Sequence, residues 1–311
     1  MKKTWKYSLL LAGVLAAAAV VNQLTEQPGQ GIFYRVSGGK NTMYLLGSIH
    51  VGSKEMYPMA DAICAAIGNA DVLVFECDTA SAQARTVTAQ MMKSDAPLSS
   101  VVSSSCCEKL EKAAEKIGYS METFEQMKPW AVTSTLTVAA AAQEMNAKSS
   151  ASASALGVEN MVRKEACNQT IVYLETAAEQ LELMEAFSPS LQEYLLSSAC
   201  DAVLKTESAS GSDEDVDQWP EWWRMGNAQA FADSYQRSMD NETSPEMAQE
   251  YHQSLVVSRN RLMAQKLRSM IESDEPHSYM VTIGLMHLVL PQDSVITMLQ
   301  DMGYRVEQII Q

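Results

Sequence analysis

Met43-Tyr44-Leu45-Leu46-Gly47-Ser48-Ile49-His50 decides the reading of this chain, because its pattern returns near the far end as Tyr279-Met280-Val281-Thr282-Ile283-Gly284-Leu285-Met286-His287. Each copy is a short apolar run followed by Gly-x-x-His. Runs of this length and composition, at 43–46 and 279–283, read as buried strands. A glycine lets the backbone turn sharply where a strand ends, and a histidine three residues on then stands just outside the sheet edge. The chain has only four histidines, and two are placed in this way. If the two strands lie side by side, both imidazoles converge on one point, and such a pair is the start of a metal site.

Outward from these runs, residues 32–36 and 43–46 flank Ser37-Gly38-Gly39-Lys40-Asn41, which is a hairpin signal. Residues 60–70 read as a helix. Asp71-Val72-Leu73-Val74-Phe75-Glu76 follows as a buried strand ending in a carboxylate. Strand alternation puts Glu76 and Asp78 on one side and Cys77 on the other. Residues 82–146 are helical in pattern, broken at Pro97, Gly118 and Pro129, and the Ser/Ala-rich stretch 149–155 reads as a flexible loop. A third buried strand is expected at 170–174, ahead of Glu175-Thr176. Helices are expected at 178–205, 219–239 and 244–272, with an exposed acidic loop at 207–217. Strand 279–283, helix 293–302 and strand 305–310 complete the reading. Apart from the twin motif there is no internal repeat. Strands at both ends and in the middle predict an α/β fold, a mostly parallel or mixed central sheet with a large helical cap. The cap corresponds to helical insertions at about 82–146 and 178–272 in a domain covering 32–311. Such sheets bind ligands at the carboxyl edge of their strands.

Residues 1–21 do not belong to that fold. Lys2, Lys3 and Lys6 form a positive segment, residues 9–21 are almost wholly apolar, and Ala17-Ala18-Ala19 offers a small-residue cleavage site. This is the shape of a secretory signal, shorter than the roughly 20 residues a membrane span requires. Retention as an N-terminal anchor is the alternative, and would be the chain's one membrane contact. The expected location is exported: periplasmic, extracellular or membrane-anchored. The formal charge of −15, from 23 basic and 38 acidic residues, argues against nucleic acid and anionic lipid as partners. The expected partner is a peptide or small-molecule substrate. All six cysteines lie beyond the signal, with no CxxC spacing that would read as a zinc knuckle. Export would permit disulfides, though a chain of this length needs none for its core. Adjacent Cys106 and Cys107 read as free thiols or as having separate partners.

His50, Glu76 and His287 each fall at or just past the end of an expected strand. Two neutral imidazoles and a carboxylate are a common set for a divalent transition metal with open positions for water. The other reading of the pattern is that they are ordinary hydrogen-bonding residues at strand ends. Glu159, after Leu156-Gly157-Val158, reads by itself as a surface or helix-start carboxylate. Glu175 reads as a site residue or a helix cap beside Thr176. Arg259, next to Asn260 on an expected helix, would orient a site carboxylate, bind an oxyanion or face solvent. Asp78 would fix an imidazole or cap a turn. His252 and His277 read as surface residues, the 20 methionines as core filling, and the cluster Trp219, Trp222, Trp223 as cap packing or a groove wall. No Gly-x-Ser-x-Gly is present, which argues against a serine-hydrolase triad.

Longer stretches carry a family resemblance. YLLGSIHVGSKEMYP (44–58), DVLVFECD (71–78) and VTIGLMHLVLPQDSVITMLQDMGYRVEQI (281–309) resemble the TraB/PrgY/GumN family, whose animal members include the Tiki proteins. FEQMKPWAVTSTL (124–136), SALGVENMVRKEACNQTIVYLETAAEQL (154–181), WWRMGNAQAF (222–231) and SRNRLMAQKL (258–267) are similar to its other segments. One departure is Leu288-Val289-Leu290-Pro291, where the family usually places another glycine after the histidine. The family is similar in turn to erythromycin esterases and to ChaN haem-binding proteins. The resemblance implies a metal-dependent, peptidase-like hydrolase. Its metal would be manganese, cobalt, iron or zinc on His50, Glu76 and His287, with Glu76, Glu159 and Arg259 as catalytic candidates. The alternative it implies is a non-enzymatic binder of haem or a signalling peptide in the same cleft.

Overall fold

The computed structural model describes residues 28–79, 81–205, 215–240 and 244–310. The proposed secretory signal and most of the acidic run 207–217 lie outside the described residues. Six strands form one sheet: β1 (Ile32–Ser37), β2 (Thr42–Ser48), β3 (Val72–Phe75), β4 (Thr170–Tyr173), β5 (Ser278–Gly284) and β6 (Arg305–Gln308). Their order is β4-β3-β5-β2-β1-β6. The expected hairpin forms between β1 and β2, turning through Gly38 at φ 105°. β2, β5, β3 and β4 run parallel, and β6 closes the other side antiparallel to β1. The fold is therefore α/β around a mixed sheet, as the sequence predicts.

The twin apolar runs are neighbours in this sheet. β2 pairs with β5 residue by residue, from Thr42 opposite Ser278 to Ser48 opposite Gly284. Their largely apolar character follows from position: β3 is wholly buried and β5 buried over Tyr279–Ile283, with Thr282 the polar side chain in that buried stretch. β4 corrects the expectation of a third buried strand. It is the sheet edge, with Thr170 and Ile171 exposed. Thr-Ile-Val-Tyr has strand composition, and composition does not say where in a sheet a strand sits.

The glycines need a correction of cause. Gly47 and Gly284 lie inside β2 and β5, and neither has a positive φ. Each is a glycine because something comes too close for a side chain. A Cβ on Gly47 would lie 2.9 Å from the Cβ of Leu285, and one on Gly284 would lie 2.9 Å from Oε1 of Glu76.

Two apolar cores hold the molecule. One lies on the sheet and includes Phe33, Leu45, Leu46, Leu73, Phe75, Met280 and Ile283. The other joins helices of the 98–140 and 189–204 regions through Leu98, Leu110, Phe124, Leu136, Leu196 and Val203. Trp223 belongs to the sheet core: its buried indole N–H donates to the Gly47 carbonyl at 2.8 Å. Stretch 149–155, expected to be a loop, is the helix Ser150–Ala155. Ser149 and Ser152 form its capping box, a local signal that the uniformly small side chains disguise. The expected helix 244–272 is interrupted by a π turn, Gln253–Val257, between Pro245–His252 and Ser258–Ile271. A π turn shifts the phase of the helix face, here just ahead of Arg259 and Asn260. Among the described residues no helix is long and apolar enough to cross a membrane.

Candidate functional site

The four parallel strands end on one edge, and each delivers a polar side chain within three residues of its end. β2 leads to His50, β3 to Glu76, β4 to Glu175 and β5 to His287.

Glu76 is the hub. Its Oε1 accepts the Gly284 N–H and lies 3.6 Å from Nε2 of His287. Its Oε2 accepts from Nη2 of Arg259 at 2.7 Å and from Nε2 of Gln180 at 3.2 Å. The missing side chain at Gly284 is what lets the carboxylate reach that amide. Burial would push the Glu76 carboxyl up, but His287, Arg259, His50 and the Gly284 N–H outweigh it and hold it down, at about 2. Arg259 also grips Glu175 through Nε at 3.1 Å and Nη2 at 2.9 Å. Gln180 donates to Glu175 at 3.0 Å, and its own oxygen accepts the Cys77 thiol at 3.3 Å. Two buried carboxylates thus share one guanidinium and one amide.

His287 sits in the helical turn Met286–Val289 and is buried. Its Nδ1 lies 2.5 Å from Oδ1 of Asn260, while Nδ2 of Asn260 donates to the Asp293 carbonyl at 2.7 Å. Nε2 is turned toward Glu76. Burial pushes this imidazole down to about 4, with Arg259 and His50 acting the same way and Glu76 opposing. The ring is neutral at physiological pH.

His50 differs. Its side chain is 75 % exposed, and its Nδ1 is 2.6 Å from Oε1 of Glu159. Glu159 lies in the first turn of the helix Val158–Glu165. That helix is tied to β2 by the Val158 N–H, which donates to the Ile49 carbonyl at 3.0 Å. Gly157 permits the contact, since a Cβ there would sit 2.4 Å from the His50 carbonyl oxygen. The Glu159 carboxylate, by charge and by hydrogen bond, pushes the His50 imidazole up. Burial would raise Glu159 itself, but His50, by charge and by hydrogen bond, outweighs it and holds the carboxyl low. The pair is an imidazolium–carboxylate ion pair with Nε2 turned away from Glu159.

The model of the TraB/PrgY/gumN family matches residues 32–308, from the first strand through the last. The chain belongs to the TraB/PrgY/gumN family. No curated protein and no solved structure matches it.

In this TraB/PrgY/gumN chain the carboxyl edge gathers His50, Glu76, Glu159, Glu175, Arg259 and His287. The donors suit a metal in part. Each imidazole keeps Nε2 unused by its anchor, as a cation would require. Glu76, the expected third ligand, spends both oxygens on Gly284, Arg259 and Gln180. Among the described residues no three His, Cys, Asp or Glu side chains are grouped to share one ion. As the side chains stand, they do not form the expected three-ligand shell.

Other candidates lie apart. Asp78 accepts the Ser81 N–H at 3.1 Å, a turn contact. His252 pairs with the Tyr235 hydroxyl at 2.8 Å, and His277 lies 3.5 Å from Glu275. Both are half-buried rather than on the open surface. Thr176 forms a capping box with Glu179, which leaves Glu175 free for Arg259. The loop after His287, where the chain departs from the family pattern, continues the helical turn with Leu288 and Val289 buried. Sequence reasoning missed Gln180, an ordinary polar position in the helix Ala177–Glu185. It also gave Asn260 no role. The available signal was an asparagine in a helix interior, where its side chain competes with the backbone.

Proposed function

We propose that this TraB/PrgY/gumN chain hydrolyses a peptide or related acyl bond at the carboxyl edge of its sheet. One observation carries the reading: two imidazoles reach this edge from adjacent parallel strands, both anchored at Nδ1, with surroundings that push their proton affinities in opposite directions. A pair of titratable groups split in this way supplies a base and an acid together. Neutral His287 takes a proton from the attacking water at Nε2, and the hydroxide adds to the carbonyl carbon. Glu76, 3.6 Å from that nitrogen, stabilises the imidazolium that results. His50, kept protonated by Glu159, gives its Nε2 proton to the departing nitrogen or oxygen as the acyl bond breaks. Arg259 holds Glu76 and Glu175 in place. Export of the chain, proposed from residues 1–21, would put the substrate outside the cytoplasm.

A second reading keeps the divalent ion, whether manganese, cobalt, iron or zinc. It is favoured because metal-ligating histidines donate their other ring N–H to a carboxylate or amide oxygen, the arrangement both rings have here. Binding at His50 would have to release its proton, and no step above depends on it.

Incubation of the purified chain with a peptide library, with and without a chelator, tests the proposal. Cleavage that survives chelation and is lost in both His50→Ala and His287→Ala supports the acid–base reading. Cleavage lost on chelation, with metal content lost in the same variants, supports the ion. Cleavage indifferent to both histidines refutes both. No cleavage, with a haem Soret band abolished by His50→Ala, supports a binding protein instead.

A further inference from the structure

We infer that Asn260 is a positioning residue that fixes the tautomer of His287, using the backbone carbonyl of Asp293 as its reference. The inference rests on the hydrolytic reading above, in which Nε2 of His287 must be the bare nitrogen.

The argument follows from which groups can donate. Asn260 is 0 % exposed, so its amide must find its partners inside the protein. An amide has one accepting end and one donating end, nearly identical in shape. The Asp293 carbonyl can only accept, so the NH2 of Asn260 faces it, at 2.7 Å. The remaining end, Oδ1, lies 2.5 Å from Nδ1 of His287 and can only accept. Nδ1 must therefore carry the hydrogen, and in a neutral ring Nε2 then has none.

The reference carbonyl is itself fixed. Asp293 is held at φ 55°, a left-handed conformation uncommon outside glycine. The next residue, buried Ser294, caps the helix Val295–Asp301 through the Thr297 N–H. Asn260 stands immediately after Arg259 on the helix Ser258–Ile271. Adjacent residues on a helix point about 100° apart, so the one serves the carboxylate beyond β3 and the other the imidazole beyond β5. The relay joins residues 260, 287 and 293 and excludes the other tautomer, in which Nδ1 would be bare against a second acceptor.

The chain has only four histidines, so nitrogen-15 correlation spectra of the full protein at fixed neutral pH resolve their tautomers directly. The wild type is expected to show His287 entirely in the Nδ1–H form. Asn260→Ala should give a mixture of tautomers and lower kcat by about 10–100-fold with KM little changed, the usual cost of removing such an orienting partner. Asn260→Asp, which keeps an acceptor for Nδ1–H but loses the donor to the Asp293 carbonyl, should keep Nδ1 protonated, in contrast to Asn260→Ala. An unchanged His50 signal and a single cooperative melting transition show that the variants fold. A wild-type His287 in the Nε2–H form, or a pure Nδ1–H form persisting in Asn260→Ala, overturns the inference. The tautomer can be read even if the chain hydrolyses nothing, so failure here and failure of the proposed activity are separable.

Discussion

Arg259 is the residue on which the site's balance turns, because among the described residues it is the cation bonded to both site carboxylates, Glu76 and Glu175. Replacing it with leucine leaves two adjacent negative charges without compensation. Removing one partner from a buried ion pair costs about 3–5 kcal/mol, so Arg259→Leu should lower the urea midpoint sharply. Adding Glu175→Gln should recover part of the loss. At His50 and His287 the expected effect is on rate. Removing a positioned acid or base costs about 10²–10⁴-fold, and His50→Ala should show this in kcat with little change in melting, since its ring is largely exposed. Glu159→Gln keeps a hydrogen-bonding partner for His50 and removes the charge that raises its proton affinity. His50 then loses its proton at lower pH, so the alkaline limb of the rate–pH profile should move to lower pH.

At the level of elements, two glycines make a paired test. Gly284→Ala forces a Cβ to within 2.9 Å of Glu76 Oε1 and should cost about 1–3 kcal/mol while displacing the carboxylate. Gly68, in the exposed part of the helix Asp61–Asn69, has nothing within 4 Å of a built Cβ. Gly68→Ala should therefore stabilise by about 0.5–1 kcal/mol, measured by thermal melting. The elements also show what a sequence discloses. β2, β3 and β5 were legible because strands buried on both faces must be largely apolar. β4 was legible as a strand but not as an edge, since Thr170–Tyr173 would serve equally well in the middle. Helix Ser150–Ala155 was not legible: six small residues carry no amphipathic period, and only its capping serines mark it. The glycines were legible as constrained positions, but the cause lay in side chains from elsewhere in the chain that sequence spacing cannot show.

Across the whole molecule, acid should weaken the fold in two overlapping steps. Between about pH 6.5 and 4 the unfolded chain binds a proton at His287 that the buried ring refuses. Between about 4.5 and 2 the same holds for Glu76. In both windows the unfolded state takes up more protons, so stability falls as pH falls. Urea titrations across this range should show the decline, and His287→Gln should flatten its upper part. His50 works the other way: its raised affinity contributes stability at low pH that is lost as pH rises through the elevated value. That the strands leading to His50 and His287 lie side by side was legible from the repeated Gly-x-x-His. The relay through Asn260 and Asp293, and the bridge at Gln180, were not, because each depends on how a helix is rotated against the sheet.

The position of β5 has a consequence for assembly. It is the fifth strand to be synthesised, yet it lies between β3 and β2 near the middle of the sheet. Until Ser278–Gly284 leaves the ribosome, the first hairpin and the β3–β4 pair have no shared border and must wait as separate pieces. Ribosome-bound chains halted before that segment should lack the shared strand edge and remain easily digested by protease, so the proposed site cannot assemble before β5 has been made.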